Sequence, residues 1–444
     1  MSLRLYHLPR LVLVAGGSQA WRCTAPLLPD LLQNFLPHEG DMWPLEVPGP
    51  SPSEKMFDAM QRCWDQCAAA DGRLWEVMAG PSLHGVAICM ARPCTAREVS
   101  LWLGGQNDNQ KNMSEALVTE LANWRSVKLD FVLAGFEKCG TSSLSHNLAR
   151  HPQVQFLPPT TDDPRINTDN QRAQDGHFFW QVGGRLLPPA NLVRRFNAGL
   201  CCLGGARVAG FSDSELIGKS KAATGDQFRA ERNPVYAFQR VIMKMVALIP
   251  SAKVILLVCD PVRWLHSAYA DTLNWHAGGG DDPPRPALRE FARADFVPAP
   301  KSTSLSYKWY NLSRNRGFFT VFVQGIVRLT GAARVHLIHR DAIDPRFTDA
   351  SGLRESYNRL ASFLGLRPFP GDFGFEKRNV RAKVASQAAL ELCTEAEQHT
   401  LKLLKRYYRS EYARLPSWIE QLGGLVPPHV AANRTCCDMR SPKK

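Results

Sequence analysis

After Val127, short apolar runs alternate with helical patterns, and this alternation limits the possible folds more than any other feature of the sequence. Three runs read as strands buried on both faces: 129–135, 253–258 and 334–339. Helices are predicted for 140–151, 237–249, 262–274, 306–329, 353–364 and 386–413. Strands that alternate with helices are typical of a parallel sheet covered on both faces. The sequence therefore predicts an α/β fold, a parallel sheet flanked by helices.

The chain has 444 residues, which suits one large domain with extensions. In the N-terminal part, helical spacing predicts one helix around 57–64 and another over 116–124. We expect four regions: a leader and proline-rich linker at 1–55, an accessory region at 56–125, the main domain at 126–424 and a loose tail at 425–444.

The net charge of the chain limits its partners. It is +13, with a pI near 9.3, which favours an anionic partner such as a nucleotide, an acidic glycan or a membrane surface. We expect no nucleic-acid partner, because no motif combines basic and aromatic residues. No apolar run approaches the roughly 20 residues that span a bilayer. Apolar residues make up 44% of the chain, enough for a substantial core, and the charged fraction of 21% is too low for a disordered protein.

The cysteines and the N-terminus leave several alternatives open. There are 12 cysteines without a C-x-x-C pair, so a zinc site is not predicted, while buried thiols and a few disulfides are both compatible. Residues 1–22 resemble a weak signal peptide and also a transit peptide. Sequons at Asn112, Asn311 and Asn433 fit a glycoprotein. The secretory pathway, another organelle and the cytoplasm all remain possible locations.

A glycine-containing loop follows the first predicted strand, over 135–144, and carries most of the functional information. The loop turns into a helix that begins Thr141-Ser142-Ser143, so backbone amides and a helix N-terminus point to one spot and favour a phosphate or sulfate. A Walker A loop has its lysine after the second glycine, whereas Lys138 precedes Gly140. This difference disfavours a nucleotide kinase or NTPase, for which Asp260 would be the magnesium-holding acid.

This loop resembles the 5′-phosphosulfate loop, G-x-x-K-x-G-T-[ST]-[ST]-L, of the Golgi-type, heparan-sulfate sulfotransferase-like family. The resemblance implies a P-loop-like sulfotransferase fold, 3′-phosphoadenylyl sulfate as co-substrate, adenosine 3′,5′-diphosphate as product, no metal, and a Golgi or secretory location. Lys138 would contact the bridging oxygen and the sulfuryl group. The donor-binding residues implied for the loop are Lys138, Cys139, Gly140, Thr141, Ser142 and Ser143.

A second family motif is Arg-Asp-Pro after a strand, with a serine eight residues after the arginine; the arginine and the serine hold the 3′-phosphate. This chain has Cys259-Asp260-Pro261 and Ser267, so the register agrees but a cysteine replaces the arginine. Three alternatives follow: another cation holds the phosphate, with Arg263 nearest in sequence, or the affinity for the donor is reduced, or activity is lost. The family's basic loop that closes over the nucleotide corresponds to a stretch with Lys377, Arg378, Arg381 and Lys383.

On the acceptor side, Asp175-Gly176-His177-Phe178-Phe179 resembles the family's Glu-x-His-Phe-Phe. The resemblance implies that Asp175 is the general base and that His177 positions the base or the acceptor. Arg232, within a segment similar to Glu-Lys-Ser-Pro-x-Tyr, would lie near the transferred group or the acceptor.

The resemblance covers roughly 127–415 and predicts transfer of a sulfuryl group to a hydroxyl or amine. A glycan, a lipid, a small metabolite and a tyrosine all remain open as acceptors. Two alternatives stay open beside this function. One is a degenerate sulfotransferase-fold protein that binds without turnover, which Cys259 favours, and the other is the P-loop kinase or NTPase.

Overall fold

The computed structural model describes residues 12–14, 20–23, 52–79, 84–92, 94–105, 117–156, 186–198, 228–232, 240–276, 316–376 and 398–432. Several residues singled out in the sequence lie outside these ranges: Asn112, Asp175, His177, Asn311, Lys377, Arg378, Arg381, Lys383 and Asn433.

The strands, in chain order, are β1 (Val12–Val14), β2 (Ala20–Cys23), β3 (Gly72–Ala79), β4 (His84–Ala91), β5 (Leu117–Glu120), β6 (Phe131–Gly135), β7 (Val154–Phe156), β8 (Phe228–Arg232), β9 (Lys253–Val258) and β10 (Val335–His339). The helices are α1 (Pro52–Ala69), α2 (Ala96–Gly105), α3 (Thr141–Ala149), α4 (Ala190–Asn197), α5 (Arg240–Leu248), α6 (Pro261–His276), α7 (Phe319–Thr330), α8 (Ala350–Leu364), α9 (Gln398–Tyr407), α10 (Arg409–Gln421) and α11 (Pro428–Ala431).

The chain forms two compact units. The first comprises Met1–Leu129, Leu157–Gly225 and Gln239–Ser251, and the second comprises Asp130–Phe156, Asp226–Phe238 and Ala252–Lys444. The first unit contains an antiparallel sheet with the strand order β1-β2-β4-β3-β5 and helices α1, α2, α4 and α5. The division into leader, accessory region, main domain and tail stays a prediction.

Helix α1 packs an apolar face into the first unit, as the helical spacing around 57–64 predicted. Phe57, Met60 and Cys67 are buried, and a disulfide joins Cys67 to Cys89 of β4. The buried Glu54 lies 2.8 Å from the guanidinium Nε of Arg240 on α5. The apolar face, the disulfide and the ion pair thus anchor α1 on both the sheet and α5.

The prediction of a helix over 116–124 is wrong. Leu117–Glu120 forms β5, which pairs with β3, for example Val118 with Val77. The chain then turns at Asn123, whose side chain accepts a hydrogen bond from the Arg125 amide (2.9 Å). The amides of this segment find their partners in another strand, and β-branched side chains tolerate that geometry well.

The second unit contains a five-stranded sheet, and the paired strands are parallel in the order β10-β9-β6-β8-β7. Every residue of β6 and β10 is buried, as are all residues of β9 except Lys253, so these strands are covered on both faces. The predicted parallel sheet flanked by helices is confirmed. Strand 253–258 has the predicted bounds.

The C-terminal helices differ in detail from the predictions. Helix α8 begins at Ala350, before the predicted start, because the Asp349 carboxylate caps it by accepting from the Gly352 amide (2.8 Å). The long helix predicted over 386–413 is, in its described part, two helices that meet at Tyr408. The short α11 lies within the predicted loose tail. None of the described helices is both long and apolar enough to cross a bilayer.

Candidate active site

The candidate site lies at one edge of the parallel sheet in the second unit. Strands β6, β9 and β10 are adjacent and parallel, so their carboxyl ends meet at this edge. Three connections leave it: the loop 136–140, the segment 259–260 and the turn Arg340–Ile343. Ligands of open α/β sheets bind at this edge, because the loops after the strands enclose a crevice there.

The loop between β6 and α3, called the donor loop here (136–140), ends in a helix N-terminus. Lys138 has φ 62° and Gly140 has φ 97°, both in the left-handed region, which turns the chain sharply. Gly140 is the N-cap of α3, and its carbonyl accepts from the amides of Ser143 (3.0 Å) and Leu144 (3.1 Å). The first amides of a helix have no acceptor within the helix, so this end favours an anion.

Buried polar contacts hold the donor loop in place. The Phe136 amide donates to the Leu257 carbonyl of β9 (2.7 Å), and the indole of Trp264 donates to the Glu137 carbonyl (2.9 Å). The Glu137 carboxylate pairs with the guanidinium of Arg316 (3.2 Å), whose side chain is 4% exposed. Burial lowers the pKa of Arg316, which Glu137 partly offsets. The loop is therefore preorganised rather than ordered only by a ligand.

A disulfide joins Cys139 of the donor loop to Cys259 after β9. Both cysteines are buried. Cys259, which stands at the position where the motif of the sulfotransferases has an arginine, thus makes a covalent bond to the loop. Spacing in the sequence could not have paired them, because they are 120 residues apart. Among the described cysteines, Cys94 is a free thiol.

Asp260 caps helix α6. Its Oδ1 accepts from the Arg263 amide (2.8 Å), and its Oδ2 accepts from the Tyr412 hydroxyl (3.1 Å). Burial raises the pKa of Asp260. A carboxyl group that caps a helix with both oxygens bonded is poorly placed to hold magnesium. This arrangement disfavours the kinase or NTPase, which required Asp260 as the metal-holding acid.

The guanidinium of Arg263, the predicted substitute for the missing arginine, is engaged within the protein. It donates to Asp341 Oδ1 (3.1 Å) and lies 5.0 Å from the ring centre of Phe347. Its charge is therefore already balanced by a buried carboxylate. Ser267 lies on the same helix and is partly exposed. The donor-binding roles of Arg263 and Ser267 stay predictions.

Arg340 was missed in the sequence, and it lies against the donor loop. A β-carbon placed on Gly140 would be 3.6 Å from Cγ of Arg340 and 3.9 Å from its Nε. Arg340 directly follows β10, so a cation immediately after a buried parallel strand was the signal available in the sequence. Because Arg340 and the donor loop are far apart in the sequence, the contact between them could not be predicted.

The far end of α3 holds the segment that leads into the basic stretch. The Asn147 side chain donates to the Glu376 carbonyl (2.9 Å) and accepts from the Glu376 amide (2.9 Å). His146 and Arg150 contact the Glu376 carboxylate at 3.0 and 3.2 Å. Glu376, the residue that precedes Lys377 in the chain, is therefore bound to the helix whose other end is the donor loop.

The acceptor side is described only in part. Arg232 ends β8, and its backbone pairs with Leu133 of β6, close to the start of the donor loop. Asp175 and His177 lie outside the described residues. Their roles as base and positioning residue, and that of Arg232 at the acceptor, stay predictions.

One group among the described residues offers three possible metal ligands: His339, Asp341 and His429. Asp341 accepts hydrogen bonds from Arg263 (3.1 Å) and His429 (3.0 Å), so its oxygens already have partners. Burial, together with the charges of His429, Arg263 and Arg340, lowers the pKa of His339 to about 4. The same positive charges disfavour a cation here. The expectation of no metal stays a prediction.

Comparisons with known proteins assign no family. No family model matches the chain, and neither does any curated protein. Among solved structures, a sulfotransferase from Alicyclobacillus acidocaldarius is 17% identical, with a TM-score of 0.38, and the match covers 66% of this chain and 96% of that chain. A sulfotransferase from Mycobacterium avium is 11% identical, with a TM-score of 0.32, covering 65% and 76%. The sulfotransferase domain of the Synechococcus PCC 7002 olefin synthase is 15% identical, with a TM-score of 0.29, covering 63% and 94%. Likenesses this weak carry no argument about the activity of this chain.

Proposed function

We propose that this chain transfers a sulfuryl group from 3′-phosphoadenylyl sulfate to a hydroxyl or amine, as a relative of the Golgi-type sulfotransferases. One observation carries the proposal: Lys138 and the N-terminus of α3 meet in a left-handed turn at the carboxyl edge of a parallel sheet. A lysine close in the chain to a helix N-terminus suits an oxyanion that gains charge during transfer.

The proposed reaction needs no covalent intermediate. Asp175 takes the proton of the acceptor while the acceptor oxygen or nitrogen forms a bond to sulfur. The bond from sulfur to the 5′-phosphate oxygen breaks, and its electron pair stays on the leaving adenosine 3′,5′-diphosphate. Lys138 and the donor-loop amides stabilise the developing negative charge. Preorganised charge and positioning supply most of the rate in such transfers.

The basic stretch is proposed to cover the nucleotide. Glu376 is held on α3 by Asn147, and Lys377 follows it directly. The rise of an α-helix is about 1.5 Å per residue, so α3 spans about 14 Å between the end that binds Glu376 and the donor loop. Lys377, Arg378 and Arg381 are therefore candidates for the donor phosphates.

The acceptor is proposed to be acidic, with a glycan as the first choice, because the chain carries a net charge of +13. A location in the Golgi or secretory pathway fits the sequons and the disulfides Cys67–Cys89 and Cys139–Cys259. Both are proposals that follow from the proposed activity.

A second candidate is a protein of the same fold that binds the nucleotide without turnover. Cys259 favours it, because this residue replaces the family's arginine, forms a disulfide and carries no charge. A protein of this kind would bind adenosine 3′,5′-diphosphate but transfer no sulfate to any acceptor.

We expect Lys138→Ala to lower kcat/KM for sulfuryl transfer by about 100-fold or more, because a stabilising charge at the leaving group is lost. The measurement is transfer of labelled sulfate from 3′-phosphoadenylyl sulfate to a panel of glycans, small alcohols, amines and tyrosine peptides. Lys402→Ala is the matched control, because Lys402 is exposed on α9. It should leave the rate unchanged.

Equal rates in the Lys138 and Lys402 variants would contradict the assigned role. Transfer of labelled sulfate separates the two candidates, since calorimetry would detect binding of adenosine 3′,5′-diphosphate by both and only the enzyme transfers sulfate. Magnesium-dependent turnover of ATP without sulfate transfer would instead establish the kinase or NTPase.

A further inference from the structure

Arg340 lies level with Cys259 on the neighbouring strand. In the parallel pairing of β9 and β10, Val258 is opposite His339, and Cys259 and Arg340 directly follow these two residues. Neighbouring strands lie about 4.8 Å apart. A cationic residue therefore follows β10 at the level where a cysteine follows β9.

The side chain of Arg340 extends to the donor loop. Its Cγ, Cδ and Nε lie 3.6, 3.9 and 3.9 Å from the position of a β-carbon on Gly140. Gly140 is the N-cap of α3, so the guanidinium group lies beside the helix N-terminus. The Arg340 side chain is 18% exposed, which leaves a small part of it open to a ligand.

The charge of Arg340 is weakly balanced by the described residues. Its Nε is 4.0 Å from Asp344 Oδ2, and the same oxygen already accepts from Arg346 at 2.6 Å. The other nearby carboxylate, Asp341, is bonded by Arg263 at 3.1 Å. Burial, together with the charge of Arg263, lowers the pKa of Arg340 to about 10. An anion bound here would offset the cost of burying this charge.

We propose that Arg340 binds the 3′-phosphate of the donor nucleotide, in place of the arginine that Cys259 replaces. The inference rests on the proposed function, because it requires a nucleotide with its 5′ end in the donor loop. A guanidinium presents a planar fork of N–H groups that matches two phosphate oxygens. Lys138 and the α3 amides would then hold the 5′ end, and Arg340 the 3′ end, of one nucleotide.

The test compares two nucleotides that differ in this phosphate. Calorimetry on the full chain measures the affinities for adenosine 3′,5′-diphosphate and adenosine 5′-monophosphate. We expect Arg340→Gln and Arg340→Met to weaken binding of the diphosphate roughly 10- to 100-fold, the usual loss of a charged hydrogen-bonded pair, and to change binding of the monophosphate little. Arg328→Gln, an exposed arginine on α7, is the control and should change neither affinity.

Each outcome is decisive. If the wild type binds neither nucleotide, the proposed function fails and this inference fails with it. If the wild type prefers the diphosphate and the Arg340 variants keep that preference, the inference alone is wrong. An equal loss for both nucleotides assigns Arg340 to the 5′ end and also contradicts it. Thermal unfolding identifies a misfolded variant. Gln keeps the polarity of the side chain and Met keeps its packing against Gly140, so one of the two variants, if folded, is enough for the test.

Discussion

At the residue scale, the conformation of the donor loop depends on a buried ion pair. Glu137 and Arg316 lie 3.2 Å apart, with side chains that are 15% and 4% exposed. Such pairs contribute little net stability, but removing one partner leaves an unbalanced buried charge. The pair therefore specifies where Glu137 lies, and with it the backbone that precedes Lys138.

We expect Arg316→Leu to lower the free energy of unfolding by about 3 kcal/mol, because Glu137 would keep its charge without a partner. The double variant Arg316→Leu/Glu137→Gln should recover most of that loss. Chemical denaturation of the wild type, the two single variants and the double variant gives the coupling energy. Additive effects of the two substitutions would show that the pair does not act as a unit.

At the element scale, the Cys139–Cys259 disulfide links the donor loop to the segment that starts α6. The link and the hydrogen bond from the Phe136 amide to the Leu257 carbonyl (2.7 Å) both tie the loop to the end of β9. A strand end buried on both faces is a rigid support, so the position of the helix N-terminus follows from that of β9.

We expect the double variant Cys139→Ser/Cys259→Ser to lose about 2–4 kcal/mol of stability, since the disulfide restricts the unfolded chain. It should also bind adenosine 3′,5′-diphosphate more weakly, because the donor loop loses its covalent support. Chemical denaturation and calorimetry measure the two effects, and Cys94→Ser, which changes a free thiol, is the control. Alkylation of Cys139 and Cys259 in the native, unreduced protein would refute the disulfide.

At the scale of the whole molecule, buried titratable groups make stability depend on pH in opposing directions. Burial lowers the pKa of His336 and of His339 to about 4. Burial raises the pKa of Glu411 to about 7, against hydrogen bonds from the Thr320 amide and hydroxyl. Between about pH 4.5 and 6.5, both histidines are protonated in the unfolded chain and neutral in the folded chain. Glu411 is protonated in the folded chain and ionised in the unfolded chain.

We therefore expect these groups to make stability rise with pH across this window, by about 1 kcal/mol per pH unit, because two histidines outweigh one glutamate. The expected slope is steeper in Glu411→Gln, which removes the opposing group, and flatter in His336→Leu, which removes one of the histidines. Free energies of unfolding measured at a series of pH values give the slopes. Equal slopes in all three proteins would contradict the assignment.

The local pattern was enough to predict the frame of the candidate site. Strand 253–258 and the strand, loop and helix around Lys138 follow from apolar runs, glycine and hydroxyl residues that are close in sequence. The same reasoning failed at 117–120, where the strand exists because β3 supplies its hydrogen-bond partners. Periodicity in the sequence indicates which side chains are buried, but not which strand the backbone pairs with.

The sequence by itself determined the parallel sheet and the glycine-containing turn before α3, because both depend on short-range patterns of burial and backbone freedom. Only the tertiary structure decided the neighbours of that turn. It joined Cys139 to Cys259, bonded Arg263 to Asp341 and brought Arg340 level with Cys259. These contacts depend on the strand order and on the register of β9 and β10, which join residues far apart in the chain.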